Sequence, residues 1–207
     1  MRIMDEIARI GIVPVIKLDD PMDAVPLAAA LAAGGIPVAE VTFRTAAAEE
    51  SIRRIASETE GVLVGAGTVL TVDQVERAHK AGARFIVSPG FDREVVEKCL
   101  ELGLPALPGC ATPTEIMEAL KLGVRVVKFF PASVYGGLAG IKALSAAFPG
   151  LQFVPTGGVG PKNLAEYLSF PPILACGGSW MAVEKNPAET TRLCAEARAI
   201  AKDVRGA

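Results

Sequence analysis

The residue of this sequence that most clearly suggests chemistry is a lysine inside an apolar segment. Lys128 lies in VVKFFP (126–131), between Val127 and Phe129. Side chains alternate between the two faces of a strand, so Lys128 and Phe130 share one face and the flanking residues share the other. Burial disfavours the charged ammonium, and a neutral lysine amine can form a Schiff base with a carbonyl compound. The alternative is a structural lysine paired with an interior carboxylate, and this segment alone leaves both open.

A second charged residue stands in another strand-like segment. Glu40 lies in the middle of VAEVTFRT (38–45). Beside an interior lysine it is either a salt-bridge partner or the acid and base that moves protons during Schiff-base chemistry. Arg44 has the same face assignment, about 13 Å further along the strand. There we expect it to bind a carboxylate or phosphate through its guanidinium; the alternative is a surface arginine.

Two glycine-rich segments follow late strand-like runs. They are PTGGVGPKN (155–163) and CGGSW (176–180). Glycines let backbone N–H groups approach an anion closely, and helix N-termini favour negative charge. We therefore interpret these turns as a phosphate cradle, against the alternative of two tight turns that simply require glycine. The predicted cradle residues are Gly157, Gly158, Gly177, Gly178 and Ser179.

Three further residues are weaker candidates. GAGT (65–68) ends a strand-like run and offers Thr68, and SPG (88–90) ends the next with the rigid ring of Pro89. Lys17 is the only other lysine in a strand-like run and competes with Lys128. Because Lys17 lies at the end of its run, nearer solvent, we assign it as an anion contact.

The elements that must position these residues form a regular series. Short apolar segments with strand character recur roughly every 20 to 25 residues and alternate with segments of helical spacing. TVDQ and TPTE mark helix starts as capping boxes, Thr71 with Gln74 and Thr112 with Glu115. The strand-like segments are VPVIKL (13–18), VAEVTF (38–43), VLVGAGT (62–68), FIVSPG (85–90), PALPGCA (105–111), VVKFFP (126–131), FVPTGG (153–158) and ILACGG (173–178).

Eight alternations of strand and helix predict an α/β protein with a (β/α)8 TIM barrel, preceded by a short N-terminal helix. We expect residues 1–207 to form a single domain. An open doubly wound sheet is the alternative, and the even spacing of the strands favours closure. In such a barrel the active site lies at the C-terminal ends of the strands, and the loops after strands seven and eight often bind phosphate.

Composition excludes several classes of function. The chain has 207 residues, is 51% hydrophobic and carries a net charge of −2. The chain has no basic run or stripe, which disfavours nucleic-acid binding. It has no apolar run near the ~20 residues that a membrane helix needs. Asp5, Glu6 and Arg9 make the N-terminal segment unlike a signal peptide. We expect a cytoplasmic protein.

Metal and triad chemistry are also disfavoured. The four cysteines form no CxxC pair, so we expect reduced, buried thiols. His79 is the only histidine and lies on a helix-like segment, where we expect it at the surface. One histidine leaves little for a Ser-His-Asp triad or a zinc site, so Lys, Glu, Asp, Arg, Ser, Thr or Tyr must carry the chemistry.

Taken in order, six motifs resemble one family over nearly the whole chain. EVTFRT, VGAGTVL, VSPG, VKFFPA, PTGGV and GGSW are similar to the 2-keto-3-deoxy-6-phosphogluconate (KDPG) aldolases and the related 4-hydroxy-2-oxoglutarate (KHG) aldolases. The resemblance implies a class I, metal-independent aldolase with no cofactor other than its own lysine imine. It also implies a (β/α)8 barrel that is commonly a homotrimer. Its substrate would be a small 2-keto acid phosphate, cleaved to pyruvate and glyceraldehyde 3-phosphate.

Residue by residue, the resemblance implies that Lys128 forms the Schiff base and Glu40 acts as general acid and base. It implies that Arg44 and Thr68 hold the pyruvyl carboxylate. Pro89 and Phe130 would wall the pyruvyl methyl group, and the PTGG and GGS turns would bind phosphate.

The chain departs from the family pattern at two places. PASVYGG (131–137) stands where PAE is frequent, and Ala111 stands where a serine is frequent. These changes bear on the aldehyde partner and sugar stereochemistry, not on the Schiff base. The alternatives are a 2-keto-3-deoxy-6-phosphogalactonate aldolase, a phosphate-binding barrel isomerase or epimerase without imine chemistry, and a non-catalytic phospholigand sensor.

Overall fold

Eight short strands alternate with helices along the chain in a computed structural model, which describes residues 3–183 and 185–206. Each strand falls within one of the eight predicted segments or overlaps it, and every strand pairing is parallel. The strands are β1 (Ile12–Ile16), β2 (Val38–Thr42), β3 (Leu63–Gly67), β4 (Ile86–Val87), β5 (Ala106–Leu107), β6 (Val126–Phe129), β7 (Gln152–Pro155) and β8 (Cys176–Gly178).

The strands close into a ring. Six of them pair in the order β5-β4-β3-β2-β1-β8, and β6 pairs with β7. Two junctions join these sheets: the Cys110 N–H donates to the Lys128 carbonyl at 2.8 Å, and the Leu174 N–H donates to the Phe153 carbonyl at 2.9 Å. A bridge between Thr156 and Gly177 supports the second junction. The barrel prediction is therefore confirmed, and the open doubly wound sheet is wrong.

Helices surround the strands, and the predicted short N-terminal helix is confirmed as α1. A 3-10 turn at Pro21–Asp23 precedes α2. The helices of the described residues are α1 (Ile3–Ile10), α2 (Ala24–Ala33), α3 (Ala48–Glu58), α4 (Val72–Lys80), α5 (Arg93–Glu101), α6 (Pro113–Lys121), α7 (Gly137–Ala147), α8 (Leu164–Leu168) and α9 (Pro187–Arg205).

Of the two predicted capping boxes, one forms completely. At the start of α6, the Thr112 hydroxyl accepts from the Glu115 N–H and the Glu115 carboxylate accepts from the Thr112 N–H. At the start of α4, Thr71 accepts from the Gln74 N–H, but the Gln74 amide oxygen accepts from Leu70. The second half of that box is wrong because the glutamine reaches one residue further back. Both helices still begin where the sequence predicts.

The faces of β6 follow the predicted alternation. Val127 and Phe129 are fully buried in the apolar core, with 0% and 1% exposure. Lys128 and Phe130 lie on the opposite face and line a cavity inside the barrel mouth. This arrangement lets a lysine occupy a buried strand without placing its ammonium among the core aliphatic groups.

The histidine and the cysteines are placed as predicted. His79 is exposed on α4, and all four cysteines are free and buried. Burial raises the pKa of the Cys110 and Cys176 thiols to about 12, which keeps both protonated and unreactive at neutral pH. In residues 3–183 and 185–206, no cluster of three or more His, Cys, Asp or Glu side chains has metal-binding geometry. Within the same residues, no helix has the length and apolar character to cross a membrane.

Candidate active site

A buried ion pair lies at the centre of the barrel mouth. The Lys128 Nζ atom on β6 is 3.2 Å from the Glu40 Oε1 atom on β2, and the two side chains are only 7% and 3% exposed. Burying two charges costs several kcal/mol per ion after relaxation, so such pairs contribute little net stability compared with apolar packing. Stability alone therefore does not explain this pair, whose amine and carboxylate are close enough to exchange a proton.

The pair opens into a cavity of about 160 Å³. Phe130 forms one wall, with its ring centroid 5.3 Å from the Lys128 Nζ atom. The ring face attracts a cation and also presents an apolar surface to any ligand of the lysine. The cavity is lined by Val15, Glu40, Thr42, Arg44, Thr68, Pro89, Lys128, Phe130 and Thr156.

Two of the lining residues stand at strand ends, as predicted. Thr68 follows β3 and has a positive φ of +55°. This conformation is unfavourable for a β-branched residue and persists only where the surroundings enforce it, which is typical of functional sites. Pro89 follows β4 and contributes a rigid apolar ring to the same cavity. The sequence therefore placed both residues at the correct cavity.

Arg44 lies in the turn just after β2 and lines this cavity and its neighbour. Its Nε–H donates to the Thr42 hydroxyl at 3.1 Å. Among the described residues, no carboxylate lies within ion-pair distance of its guanidinium. The terminal Nη groups are therefore available to bind an anion.

A second cavity of about 180 Å³ adjoins the first. The two share Val15, Arg44, Phe130 and Thr156. Gly157 and Gly158 line the second cavity with φ values of +89° and +80°, which expose their peptide groups without side chains. The remaining lining residues are Val159, Gly178 and Ser179.

Two predicted anion contacts are not at this cavity. Gly177 is buried outside the lining, and a Cβ atom there would lie 2.3 Å from the Thr156 Oγ1 atom. Its glycine is therefore explained by close packing against Thr156. Lys17 is exposed, and its ammonium pairs with the Asp19 carboxylate at 2.6 Å. The structure does not bring Lys17 to either cavity.

Sequence reasoning missed Thr156, which lines both cavities and is only 6% exposed. The signal was present: Val154 is in register with Lys128 on the neighbouring strand. The residue two positions beyond Val154 shares its face. Strand alternation would therefore have placed Thr156 next to Phe130, in the middle of PTGG.

The Glu40 carboxylate reaches along the neighbouring strand to Gly67, which is in register with Thr42, and fits there because Gly67 has no side chain. A Cβ atom at Gly67 would lie 2.2 Å from the Glu40 Oε1 atom.

We expect Gly67→Ala to displace Glu40 from Lys128 and to lower kcat roughly 10- to 100-fold, since misplacement of about 1 Å has effects of this order. Steady-state kinetics of the purified variant measure this loss of kcat. Gly90→Ala is the control, because a Cβ atom there meets nothing within 4 Å, and equal losses in both variants would contradict the explanation.

Fold and site together define a class of enzyme. An amine inside an enclosed cavity, a carboxylate within reach of its protons and an adjoining place for an anion suit an aldolase that works through a lysine imine. A carbon–carbon lyase of this kind is the class of enzyme that the fold and the site fit.

Comparison with known proteins specifies the family. The family model for KDPG and KHG aldolases matches residues 3–193. The 2-dehydro-3-deoxy-phosphogluconate aldolase of Treponema pallidum (strain Nichols) is 53% identical over 179 residues, covering 86% of this chain and 85% of the relative. The chain therefore belongs to the KDPG and KHG aldolase family, as the six sequence motifs indicated.

Solved structures agree with this assignment. The KDPG aldolase of Zymomonas mobilis ZM4, solved with 3-phosphoglycerate, superposes with a TM-score of 0.91 at 40% identity, covering 97% of each chain. The KDPG aldolase of Legionella pneumophila, with pyruvate captured at low pH as a covalent carbinolamine intermediate, has a TM-score of 0.88 at 41% identity. That match covers 93% of this chain and 96% of the other.

Proposed function

We propose that this protein is a class I aldolase that cleaves KDPG to pyruvate and glyceraldehyde 3-phosphate through an imine on Lys128. The observation that carries the proposal is the buried Lys128–Glu40 pair at 3.2 Å inside a cavity with apolar walls. The captured carbinolamine of the Legionella pneumophila enzyme, which is 41% identical, supports the same chemistry for this chain. No observation favours a barrel isomerase or epimerase.

The first step forms the imine. After the Lys128 ammonium gives a proton to Glu40, the resulting amine attacks the C2 ketone of the substrate and forms a carbinolamine. The nitrogen of the first adduct passes one proton to the adduct oxygen, and a second proton on that oxygen lets water leave and gives the iminium. The Glu40 carboxylate accepts a hydrogen bond from the Lys128 Nζ atom at 3.2 Å. It is therefore close enough to give and take these protons. Proton transfer by this carboxylate would serve both changes.

The second step breaks the C3–C4 bond. Glu40 takes the C4 hydroxyl proton, the C4 carbonyl forms as the C3–C4 bond breaks, and the iminium accepts the electron pair of that bond to give an enamine. Glyceraldehyde 3-phosphate leaves. Glu40 then returns the proton to C3 of the enamine, and addition of water releases pyruvate and frees Lys128. The water consumed here balances the water lost during imine formation.

The remaining residues of the site would hold the two ends of the substrate. We assign the pyruvyl carboxylate to Arg44 and Thr68, and we place Pro89 and Phe130 beside the C3 carbon that becomes the pyruvate methyl group. All four line the lysine cavity. Lys17 and Gly177 are left out of this assignment because they do not line either cavity.

We assign the phosphate to the second cavity, at Gly157, Gly158, Gly178 and Ser179. We expect Ser179→Ala to raise the KM for KDPG about tenfold, since a hydrogen bond to a charged group contributes about 1.5–3 kcal/mol. The KM for unphosphorylated 4-hydroxy-2-oxoglutarate should stay unchanged. Ser145→Ala, which alters a half-buried serine on α7 whose hydroxyl donates to the Lys142 carbonyl, is the control. An equal change for both substrates would place the phosphate elsewhere.

A coupled assay tests the proposed reaction itself. The purified chain is given KDPG, its galactonate epimer at C4 or 4-hydroxy-2-oxoglutarate, and pyruvate is measured together with the aldehyde product. We expect the highest kcat/KM with KDPG. Equal rates with both epimers would make the protein an aldolase without C4 selectivity, and no pyruvate from any of the three would refute the proposal.

We further propose that the protein is a cytoplasmic homotrimer in which residues 1–207 form one aldolase domain that needs no metal. The family resemblance supports the trimer, and Val134 and Tyr135 are apolar side chains with 74% and 53% exposure that an interface could cover. Light scattering of the purified protein would give the mass of the assembly. Activity that survives exhaustive chelation with EDTA would support the metal-independent reaction.

A further inference from the structure

We propose that Thr42 is a positioning residue that aims the Arg44 guanidinium at the carboxylate of the 2-keto acid. This inference rests on the proposed function, because it presumes that Arg44 binds that carboxylate. Thr42 is the last residue of β2 and is 1% exposed. It makes no ion pair and has no acid–base chemistry of its own at neutral pH.

The hydrogen bonds of the Thr42 hydroxyl give its role. The hydroxyl donates its single proton to the Ile16 carbonyl at the end of β1, at 2.8 Å. It accepts the Arg44 Nε–H at 3.1 Å. Since a hydroxyl has only one proton, the bond to Ile16 orients a lone pair of Thr42 toward the arginine. The hydroxyl thereby links the wall of the barrel to the guanidinium.

A second threonine anchors the other side of the arginine. The Thr45 hydroxyl donates to the Leu18 carbonyl, which follows β1. Arg44 therefore lies between two side chains that are both tied to the β1 edge of the barrel. This matters because Arg44 is itself exposed, and a long exposed side chain loses much rotamer entropy when a ligand orders it.

The hydrogen bond from Arg44 Nε to Thr42 also determines which N–H groups of Arg44 remain free to bind a ligand. With Nε directed at Thr42, the two terminal nitrogens are left for the ligand, and one carboxylate can take both in a bidentate pair. Arg44 has no carboxylate partner among residues 3–183 and 185–206, so no protein anion competes for these donors. Thr42 thus places the open fork of Arg44 at the cavity before substrate arrives.

The experiment compares Thr42→Val with the wild-type chain. Valine keeps the shape of threonine and removes the hydroxyl. We expect the KM for the 2-keto acid and the pyruvate concentration for half-maximal borohydride trapping to rise about tenfold, since a hydrogen bond to a charged group contributes on this order. We expect kcat to change less than about twofold, because the reacting atoms lie at Lys128. Thr42→Ser, which restores the hydroxyl, should recover most of the affinity.

A double-mutant cycle separates positioning from general stability. In an Arg44→Ala background, Thr42→Val should raise KM no further, because the two residues act through one interaction. Thr190→Val is the matched control: its buried hydroxyl donates to the Val183 carbonyl, away from both cavities, so it should affect thermal stability but not KM. If Thr42→Val fails to fold, Thr42→Ala, which lets water reach the Ile16 carbonyl, takes its place in the same cycle.

Two outcomes would overturn the inference. One is an unchanged KM in Thr42→Val with Lys128 still trapped by pyruvate, which leaves the proposed function intact and removes the role of Thr42. The other is a full additional rise in KM in the Arg44→Ala background. Failure of the proposed function would appear differently, as the absence of any Lys128 adduct in the wild-type chain.

Discussion

Replacing Lys128 by arginine is expected to reduce aldol cleavage by about four orders of magnitude or more, since the covalent route to the enamine is lost and enzymes commonly accelerate reactions by at least 10⁶-fold. Arginine keeps the positive charge beside Glu40 but cannot form an imine with a ketone under these conditions. The variant should therefore remain folded and still bind the phosphate end of the substrate. Pyruvate release from KDPG measures the loss, and thermal unfolding reports the fold.

The same variant distinguishes the aldolase from a protein that uses the ion pair only electrostatically. If Lys128 merely balances Glu40, the arginine variant should retain a substantial part of the activity. Lys142→Arg is the matched control, since this lysine is exposed on α7, with its ammonium 5.8 Å from the centroid of the Phe170 ring. The control should keep wild-type turnover.

Glu40→Gln is expected to lower kcat by roughly 10²- to 10⁴-fold, the usual contribution of a general acid and base. Glutamine has nearly the same shape and can accept a hydrogen bond from Lys128, but it cannot carry a proton. Steps that move protons at nitrogen, at the carbinolamine oxygen and at C3 should therefore slow together. Exchange of the pyruvate methyl protons with deuterated solvent, followed by NMR, measures the C3 step without the aldehyde.

If Glu40 has only a structural role, Glu40→Gln should change stability rather than kcat. Removing one partner of a buried ion pair destabilises a protein by about 3–5 kcal/mol, so the folded fraction would fall while kcat per folded molecule stayed high. Glu58→Gln is the control, because Glu58 forms an exposed ion pair with Arg54 at the end of α3. Methyl-proton exchange at the wild-type rate in Glu40→Gln would contradict the acid–base assignment.

Much of this fold and site could be predicted because charged residues in apolar strands leave few explanations. Lys128 and Glu40 are 88 positions apart, yet each is recognisable as a charged residue in an apolar strand-like segment. Closure of a parallel barrel then brings inward residues of different strands to one interior. The regular spacing of the strands predicted that closure, and the helix caps predicted where helices begin.

The predictions that were wrong or missing concern residues whose roles depend on their neighbours in space, which a local sequence pattern does not reveal. A glycine for anion binding and a glycine for close packing look the same in sequence, and only the approach of Thr156 assigns Gly177 to packing. Lys17 was predicted from its place at a strand end, but Asp19, two residues away, takes its ammonium. Thr156 and Thr42 were not predicted as site residues because a threonine in a strand is ordinary until its hydrogen bonds and neighbours are known.

The most direct test of the imine is borohydride reduction of the protein in the presence of pyruvate, followed by peptide mass spectrometry. Borohydride reduces a pyruvyl imine to a stable secondary amine, so the modified lysine identifies the nucleophile. We predict a single pyruvate-derived adduct on Lys128 that is absent without borohydride and absent from Lys128→Arg. No adduct, or an adduct only on Lys17, would contradict the mechanism and leave the buried pair with a structural role.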